Sequence, residues 1–147
     1  MELNRTIHVV NHTAALIKVG VEPVAMYYEV TGGASLTLGT TFVDEYAELE
    51  IVCFDGGVAL YLFGPTDVDG ADSLPSMGDS SRPVPVATLS VANTTKAAMW
   101  LRTGDAGDFE LAPGSDQEFT VAASDDDLRL TTGKDGVRLD GWRLSEA

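Results

Sequence analysis

The sequence predicts an all-β protein, a β-sandwich or barrel-like fold built from two tandem six-stranded repeats with internal pseudo-two-fold symmetry. Three observations lead to this prediction. Helical periodicity is nearly absent. Short apolar or alternating segments are separated at regular intervals by Gly, Asn, Asp and Pro. Finally, three sequence blocks recur in the same order, each about 80 residues downstream of its first copy.

The recurring blocks define the domain organisation. Residues 7–13 match 89–95, and both copies contain an Asn-x-Thr motif, which begins at Asn11 and at Asn93. The other matches are 28–33 with 109–114 and 49–58 with 128–137. Self-similarity at a fixed offset indicates repeated structural units. We therefore expect a first β repeat over 1–64 and a second over 85–147, packed together as one compact unit.

Each predicted strand is a short run of apolar or alternating residues bounded by turn residues. In the first half these runs are 6–10, 15–21, 25–30, 35–40, 48–54 and 58–63. In the second half they are 86–92, 97–102, 109–111, 118–122, 128–132 and 137–144. Within the last run the alternation changes phase at Gly141, which predicts a β-bulge there.

The turns between these strands have recognisable chemistry. Asn and Thr side chains bond nearby backbone groups, so each Asn-x-Thr motif predicts a turn between the first and second strands of its repeat. Both motifs also read as glycosylation sequons, but the N-terminus does not resemble a secretory signal, and we interpret them as turns. The segments 55–57 and 134–136 contain Asp and Gly and predict β-hairpin turns with positive φ.

The two halves differ in the surface that their strands present. The segments 128–131 and 137–140 alternate between apolar and polar residues, so one face of these strands meets water. The matching first-half strands are apolar on both faces, and the second repeat or another subunit must cover them. We therefore predict an interface at Val52, Phe54, Tyr61 and Phe63.

Residues 65–84 form an acidic connector, rich in Gly, Pro and Ser, between the repeats. Asp67, Asp69 and Asp72 place three carboxylates close together beside Gly70, which makes them a weak candidate for a calcium site. The match to an EF-hand loop is poor, because the glycine comes too early and no glutamate follows. A solvated acidic linker is the alternative interpretation.

Trp100 is the most distinctive single side chain. In the repeat alignment it occupies the position of Lys18, which points outward. Together with Arg102 it is a candidate for binding a ligand or a partner, because Trp and Arg are enriched at such sites. The alternative is that Trp100 packs under the connector or against the other repeat.

The chain has a formal net charge of −14, divided as −6 over 1–64, −3 over 65–84 and −5 over 85–147. A field of this sign repels phosphate, so we expect neither nucleic-acid binding nor association with anionic membranes. Metal cations and basic proteins would be attracted. No apolar run approaches the length of about 20 residues that spans a bilayer. The composition therefore favours a cytoplasmic protein.

Catalytic motifs are missing from the sequence. His8 and His12, four residues apart on one strand, would lie about 13 Å apart and could not share a metal ion. Cys53 lies in an apolar segment that predicts a buried structural residue instead of a reactive thiolate. Neither a nucleophile elbow nor a phosphate-binding loop is present. We therefore predict no enzyme activity and no cofactor, calcium aside.

The function predicted from these observations is a non-catalytic binding or assembly module, which acts by self-association as a homo-oligomer or by docking a protein partner. One alternative is an acidic inhibitor or immunity-type protein that binds a basic enzyme through complementary charge. Another is a calcium- or carbohydrate-binding module that uses the Asp67 to Asp72 segment or Trp100.

Overall fold

A computed structural model describes residues 3–22, 25–42, 48–63, 65–69, 87–122 and 127–147 of the chain. All regular secondary structure in these residues is β-strand. The strands form two sheets that pack as a sandwich. The all-β sandwich prediction is therefore confirmed. The described residues contain no helix of the length and hydrophobicity needed to cross a membrane.

Fourteen strands are present in the described residues. Those of the first half are β1 (Leu3–Asn11), β2 (Ile17–Glu22), β3 (Met26–Val30), β4 (Ser35–Phe42), β5 (Glu48–Phe54), β6 (Gly57–Phe63) and β7 (Pro65–Asp69). Those of the second half are β8 (Ala87–Asn93), β9 (Met99–Thr103), β10 (Asp108–Leu111), β11 (Asp116–Val121), β12 (Leu128–Gly133), β13 (Gly136–Asp140) and β14 (Leu144–Glu146).

Each sheet combines strands from both halves of the chain. Sheet A has the order β10-β9-β13-β12-β1-β4-β7, and sheet B has the order β14-β11-β8-β5-β6-β2-β3. Every pairing has a counterpart: β1 runs parallel to β12 as β8 runs parallel to β5, and β2 runs parallel to β6 as β9 runs parallel to β13. The halves thus exchange strands instead of building one sheet each. Whether they superpose as a pseudo-two-fold repeat stays a prediction.

The prediction of six strands per repeat is wrong by one strand in each half. In the first half the extra strand is β7, which pairs with β4 and occupies the first residues of the predicted connector, 65–84. In the second half the predicted run 137–144 divides into β13 and β14. Gly141 directly follows β13 and has a φ of 104°, and a Cβ there would lie 1.9 Å from the carbonyl oxygen of Asp127. β13 pairs in sheet A and β14 pairs in sheet B, so the chain passes from one sheet to the other here and the predicted bulge is wrong.

The core lies between the sheets and follows the alternation of the strands. In β12 and β13 the inward residues Leu128, Leu130, Val137 and Leu139 are buried and the residues between them are not. One contiguous cluster of buried side chains joins both halves. Burial on this scale is the main favourable contribution to folding.

Both Asn-x-Thr turns are built around a fully buried asparagine. Asn11 Nδ2 donates to the carbonyl oxygens of Ala15 and Val30, at 2.7 and 2.9 Å, and Asn11 Oδ1 accepts from the Thr13 amide and hydroxyl. Asn93 makes the same four bonds to Ala97, Leu111 and Thr95. Both side chains are 0% exposed. This confirms turn chemistry, because a buried amide with four partners cannot carry a glycan without breaking the turn.

Candidate functional site

The outward faces of the two sheets differ in chemistry although their strands pair alike. The hairpin β5–β6 pairs Val52 with Ala59 and Glu50 with Tyr61. In the hairpin β12–β13 the corresponding pairs are Thr131 with Arg138 and Arg129 with Asp140. Outer positions that are apolar or aromatic in sheet B are therefore charged or polar in sheet A.

The outer face of sheet B contains a groove of about 630 Å³, here called the aromatic groove. Small and β-branched side chains form its floor, and aromatic rings form its walls. The residues that define it are Gly20, Tyr27, Val52, Phe54, Ala59 and Tyr61. Gly20 lies between Tyr27 and Ala59 in the register of the sheet. A Cβ at Gly20 would lie 3.4 Å from the Tyr27 ring, so the ring rests against the glycine.

Tyr27 and Tyr61 keep substantial parts of their rings in solvent. Tyr27 is 71% exposed and Tyr61 is 37% exposed. The Tyr27 hydroxyl donates a 2.5 Å hydrogen bond to Oε1 of Glu22. This bond, together with the charge of Glu22, raises the pKa of the Tyr27 phenol, and Tyr61 adds to the same effect. The Tyr27 phenol is therefore neutral at neutral pH.

A row of carboxylates continues from the groove across sheet B. Glu50 is the cross-strand neighbour of Tyr61, and Ser90 on β8 separates it from Glu118 on β11. These side chains line a polar depression of about 320 Å³. Its acidic residues, here called the acidic ridge, are Glu48, Glu50, Asp116 and Glu118.

Two arginines on the outer face of sheet A are ion-paired. Arg102 Nη1 lies 3.2 Å from Asp135 Oδ2, and Arg138 Nε lies 2.9 Å from Asp140 Oδ2. Trp100 is 37% exposed, with the Arg102 guanidinium 5.5 Å from the centre of its ring. The arginine thus occupies part of the aromatic face that a sugar would need for stacking.

The structure brings together three of the four predicted interface residues. Val52, Phe54 and Tyr61 all line the aromatic groove, with Val52 and Phe54 half-buried. The backbone of Phe63 ends β6, and its side chain lies outside the described residues. Sequence reasoning missed Tyr27 and Gly20. The alternation of β3 could have indicated that Tyr27 points outward, but its partner glycine lies on another strand.

The predicted calcium ligands are in a different setting from the one expected. The backbones of Asp67 and Asp69 lie in β7, opposite Thr41 and Gly39 of β4, so this part of the segment is a strand and not a loop. Asp72 lies outside the described residues. Among the described residues, no three His, Cys, Asp or Glu side chains cluster in a way that could hold a metal ion.

His8 and Cys53 contact other parts of the fold, whereas His12 is exposed. His8 Nδ1 lies 3.2 Å from the hydroxyl of Thr37, and its Nε2 lies 3.4 Å from Asp127 Oδ2. Cys53 is 4% exposed between the sheets, and burial raises its pKa to about 12. The prediction of a buried structural cysteine is confirmed. A thiol with this pKa is protonated at neutral pH and is a poor nucleophile.

A second depression, of about 480 Å³, lies where the two Asn-x-Thr turns meet the two hairpin turns. Leu16 and Phe54 line it from the first half, and Met99 and Lys134 line it from the second half. Leu16 is 44% exposed. Phe54 lines this depression and the aromatic groove alike, so the two adjoin.

Comparison of the chain with protein-family models, with curated proteins and with solved structures finds no match in any of the three. The chemistry of the two sheet faces is therefore the basis for a functional proposal.

Proposed function

We propose that this protein is a non-catalytic binding module that docks a protein partner on the outer face of sheet B, with the aromatic groove as the contact. The observation that supports the proposal is the contrast between the two hairpins. The fold accepts Thr131, Arg138 and Asp140 at the sheet A positions that match Val52, Ala59 and Tyr61. Folding therefore does not require an apolar surface at these positions, and recognition is the better reason for it.

The groove has the features of a protein-binding hot spot. Exposed tyrosines with few rotatable bonds lose little entropy on contact, and Tyr is enriched among the residues that dominate binding energy. The small floor residues Gly20 and Ala59 leave room for an inserted side chain. Cys53, the chain's one cysteine, is buried and protonated, so it offers no support for thiol catalysis.

Selection of a random library of displayed peptides on the immobilised protein tests this proposal. A groove-swap variant, with Val52→Thr, Ala59→Arg and Tyr61→Asp, transfers the sheet A residues to sheet B. Because the fold accepts those residues in sheet A, we expect the variant to fold. We expect it to lose the selected peptides.

A matched pair of single substitutions supplies the control. Tyr61 and Trp100 are both 37% exposed on outer faces, Tyr61 in sheet B and Trp100 in sheet A. Tyr61→Ser should weaken binding of a selected peptide at least about tenfold, whereas Trp100→Ser should leave it unchanged. Peptides that depend on Trp100 and not on Tyr61 would move the site to sheet A and contradict the proposal.

The protein partner on this face could be a second copy of the chain, in which case the protein would be a homo-oligomer. Light scattering after size exclusion measures the native mass. A discrete oligomer in the wild type that becomes monomeric in the groove-swap variant would identify a second copy of the chain as the occupant.

The calcium and carbohydrate alternatives stay predictions. A melting-temperature increase with calcium that Asp69→Asn abolishes would support the first alternative. Quenching of Trp100 fluorescence by sugars would support the second, although Arg102 competes for the ring face.

A further inference from the structure

The acidic ridge and the aromatic groove form one continuous surface. Along the sheet, Tyr61 is followed by Glu50, then Ser90, then Glu118, each on the next strand. Neighbouring strands lie about 4.8 Å apart, so the middle of the ridge at Ser90 lies about 10 Å from Tyr61 at the groove wall. A partner that fills the groove therefore also reaches the ridge.

The carboxylates of the ridge lack ion-pair partners among the described residues. In the described part of the chain, the side-chain ion pairs involve Asp108, Asp127, Asp135 and Asp140, and none of these residues lies on sheet B. Glu22 and Glu29 add further negative charge at the other side of the groove, and Lys18 is the one described cation that lines the groove. Lys18 lies opposite Glu29 in the register of the sheet, so the uncompensated negative charge on this surface is that of the ridge.

We infer that the partner is a basic protein segment, with an apolar or aromatic side chain in the groove and Lys or Arg side chains on the ridge. This inference rests on the proposed function and adds the chemistry of the partner. Unpaired carboxylates beside an apolar contact attract cationic side chains and repel acidic ones, which gives specificity and fast association.

The same charges disfavour a second copy of this chain as the occupant. Two copies joined through this face would each bring an acidic surface to the interface, with Lys18 as the one described cation among the residues that line the groove and the ridge. Like charges that approach at an interface weaken the complex. The overall charge of −14 adds to this repulsion at low ionic strength.

The spacing between groove and ridge predicts a pattern in the partner. An extended chain advances about 3.3 Å per residue, so a distance of about 10 Å corresponds to about three residues. Because alternate side chains of an extended chain point to the same side, we expect peptides selected from the library to contain an aromatic or large aliphatic residue with Lys or Arg two or four positions away.

A ridge variant, Glu50→Gln with Glu118→Gln, tests this inference with a synthetic copy of a selected peptide. Each lost charge pair at a partly exposed site weakens binding by a few-fold, so the dissociation constant should rise about tenfold for the pair. The salt dependence of binding should become weaker at the same time. The control variant, Asp105→Asn with Asp127→Asn, removes the same charge elsewhere, at two exposed positions. It should leave binding within about twofold, because distant exposed charges are screened.

The outcomes separate this inference from the proposed function. The basic partner would be refuted if the selected peptides were no more basic than the unselected library. It would also be refuted if the ridge and control variants lost the same amount of binding. In either case the proposed function would still hold as long as binding depended on the groove. A homodimer that the groove-swap variant dissociates would overturn the basic partner as well, because the occupant would be a second copy. Binding that survives both the groove-swap variant and Tyr61→Ser would overturn the proposed function itself.

Discussion

At the scale of single residues, the turn asparagines show how local chemistry sets the fold. Asn11 and Asn93 each begin a turn, and each donates a side-chain hydrogen bond to a strand nearly twenty positions later. The acceptors are the carbonyl oxygens of Val30 and Leu111. The bonds within the motif could be predicted because they join residues two to four positions apart. The bonds to Val30 and Leu111 could not, since they depend on how the strands come together.

Replacing Asn93 with alanine should destabilise the protein strongly. The change leaves the carbonyls of Ala97 and Leu111 and the amide of Thr95 without their side-chain partner in a buried site. We expect the free energy of unfolding to fall by about 3 kcal/mol, measured by urea denaturation. Lys96→Ala, at an exposed position of the same turn, should change it by less than about 0.5 kcal/mol. Similar values for both variants would contradict the structural role of the asparagine.

Cys53 gives a prediction about pH. Its pKa is about 12 in the folded protein and near its ordinary value of 9.0 in the unfolded chain, where burial no longer acts. The unfolded state therefore loses its proton first, and stability should fall as the pH rises from about 9 to about 12. Cys53→Ala should remove this part of the pH dependence in unfolding experiments. A native thiol that iodoacetamide modifies quickly at pH about 8 would argue against the buried, protonated state.

At the scale of strands, the hairpin glycines explain why β2 and β9 can lie close to their parallel neighbours. A Cβ at Gly57 would lie 1.9 Å from the carbonyl oxygen of Lys18, and one at Gly136 would lie 1.8 Å from that of Trp100. The hairpin turns were predictable from the Asp and Gly residues around them. The close approach was not, because it involves a strand about 40 residues away in sequence.

Gly56 and Gly57 show two different roles of glycine: Gly56 adopts a positive φ, and Gly57 leaves room for a neighbouring backbone. Gly56 has a φ of 103° with open space around it, so Gly56→Ala should cost about 1 kcal/mol of backbone strain. Gly57→Ala places a methyl group against backbone and should cost more than about 3 kcal/mol, because the β2–β6 pairing must shift. Urea denaturation of both variants checks the order. A larger loss for Gly56→Ala would contradict the packing described at Gly57.

Strand location was more predictable than strand pairing. All twelve predicted runs overlap observed strands, because alternation and turn residues are local signals. The strands β7 and β14 were missed because one falls in a polar segment and the other follows a break at Gly141. The site shows the same limit. Val52 and Tyr61 could be predicted because their strands are apolar on both faces, but Tyr27 became part of the groove only through its pairing opposite Gly20.

At the scale of the whole molecule, strand exchange makes the two halves into one folding unit. Each sheet takes four strands from one half and three from the other, so neither half can form its sheet alone. The matched strand pairings of the two halves also provide an internal comparison, because they carry an aromatic groove on sheet B and ion-paired arginines on sheet A. This difference is the basis for assigning recognition to sheet B.

The central claim is that the outer face of sheet B binds a protein partner, and backbone amide shift mapping by NMR with a selected peptide tests it most directly. We predict perturbations that cluster at the amides of Gly20, Tyr27, Val52 and Tyr61 and extend along the acidic ridge. Perturbations centred on Trp100 in sheet A, or confined to the turns at the end of the sandwich, would contradict the claim.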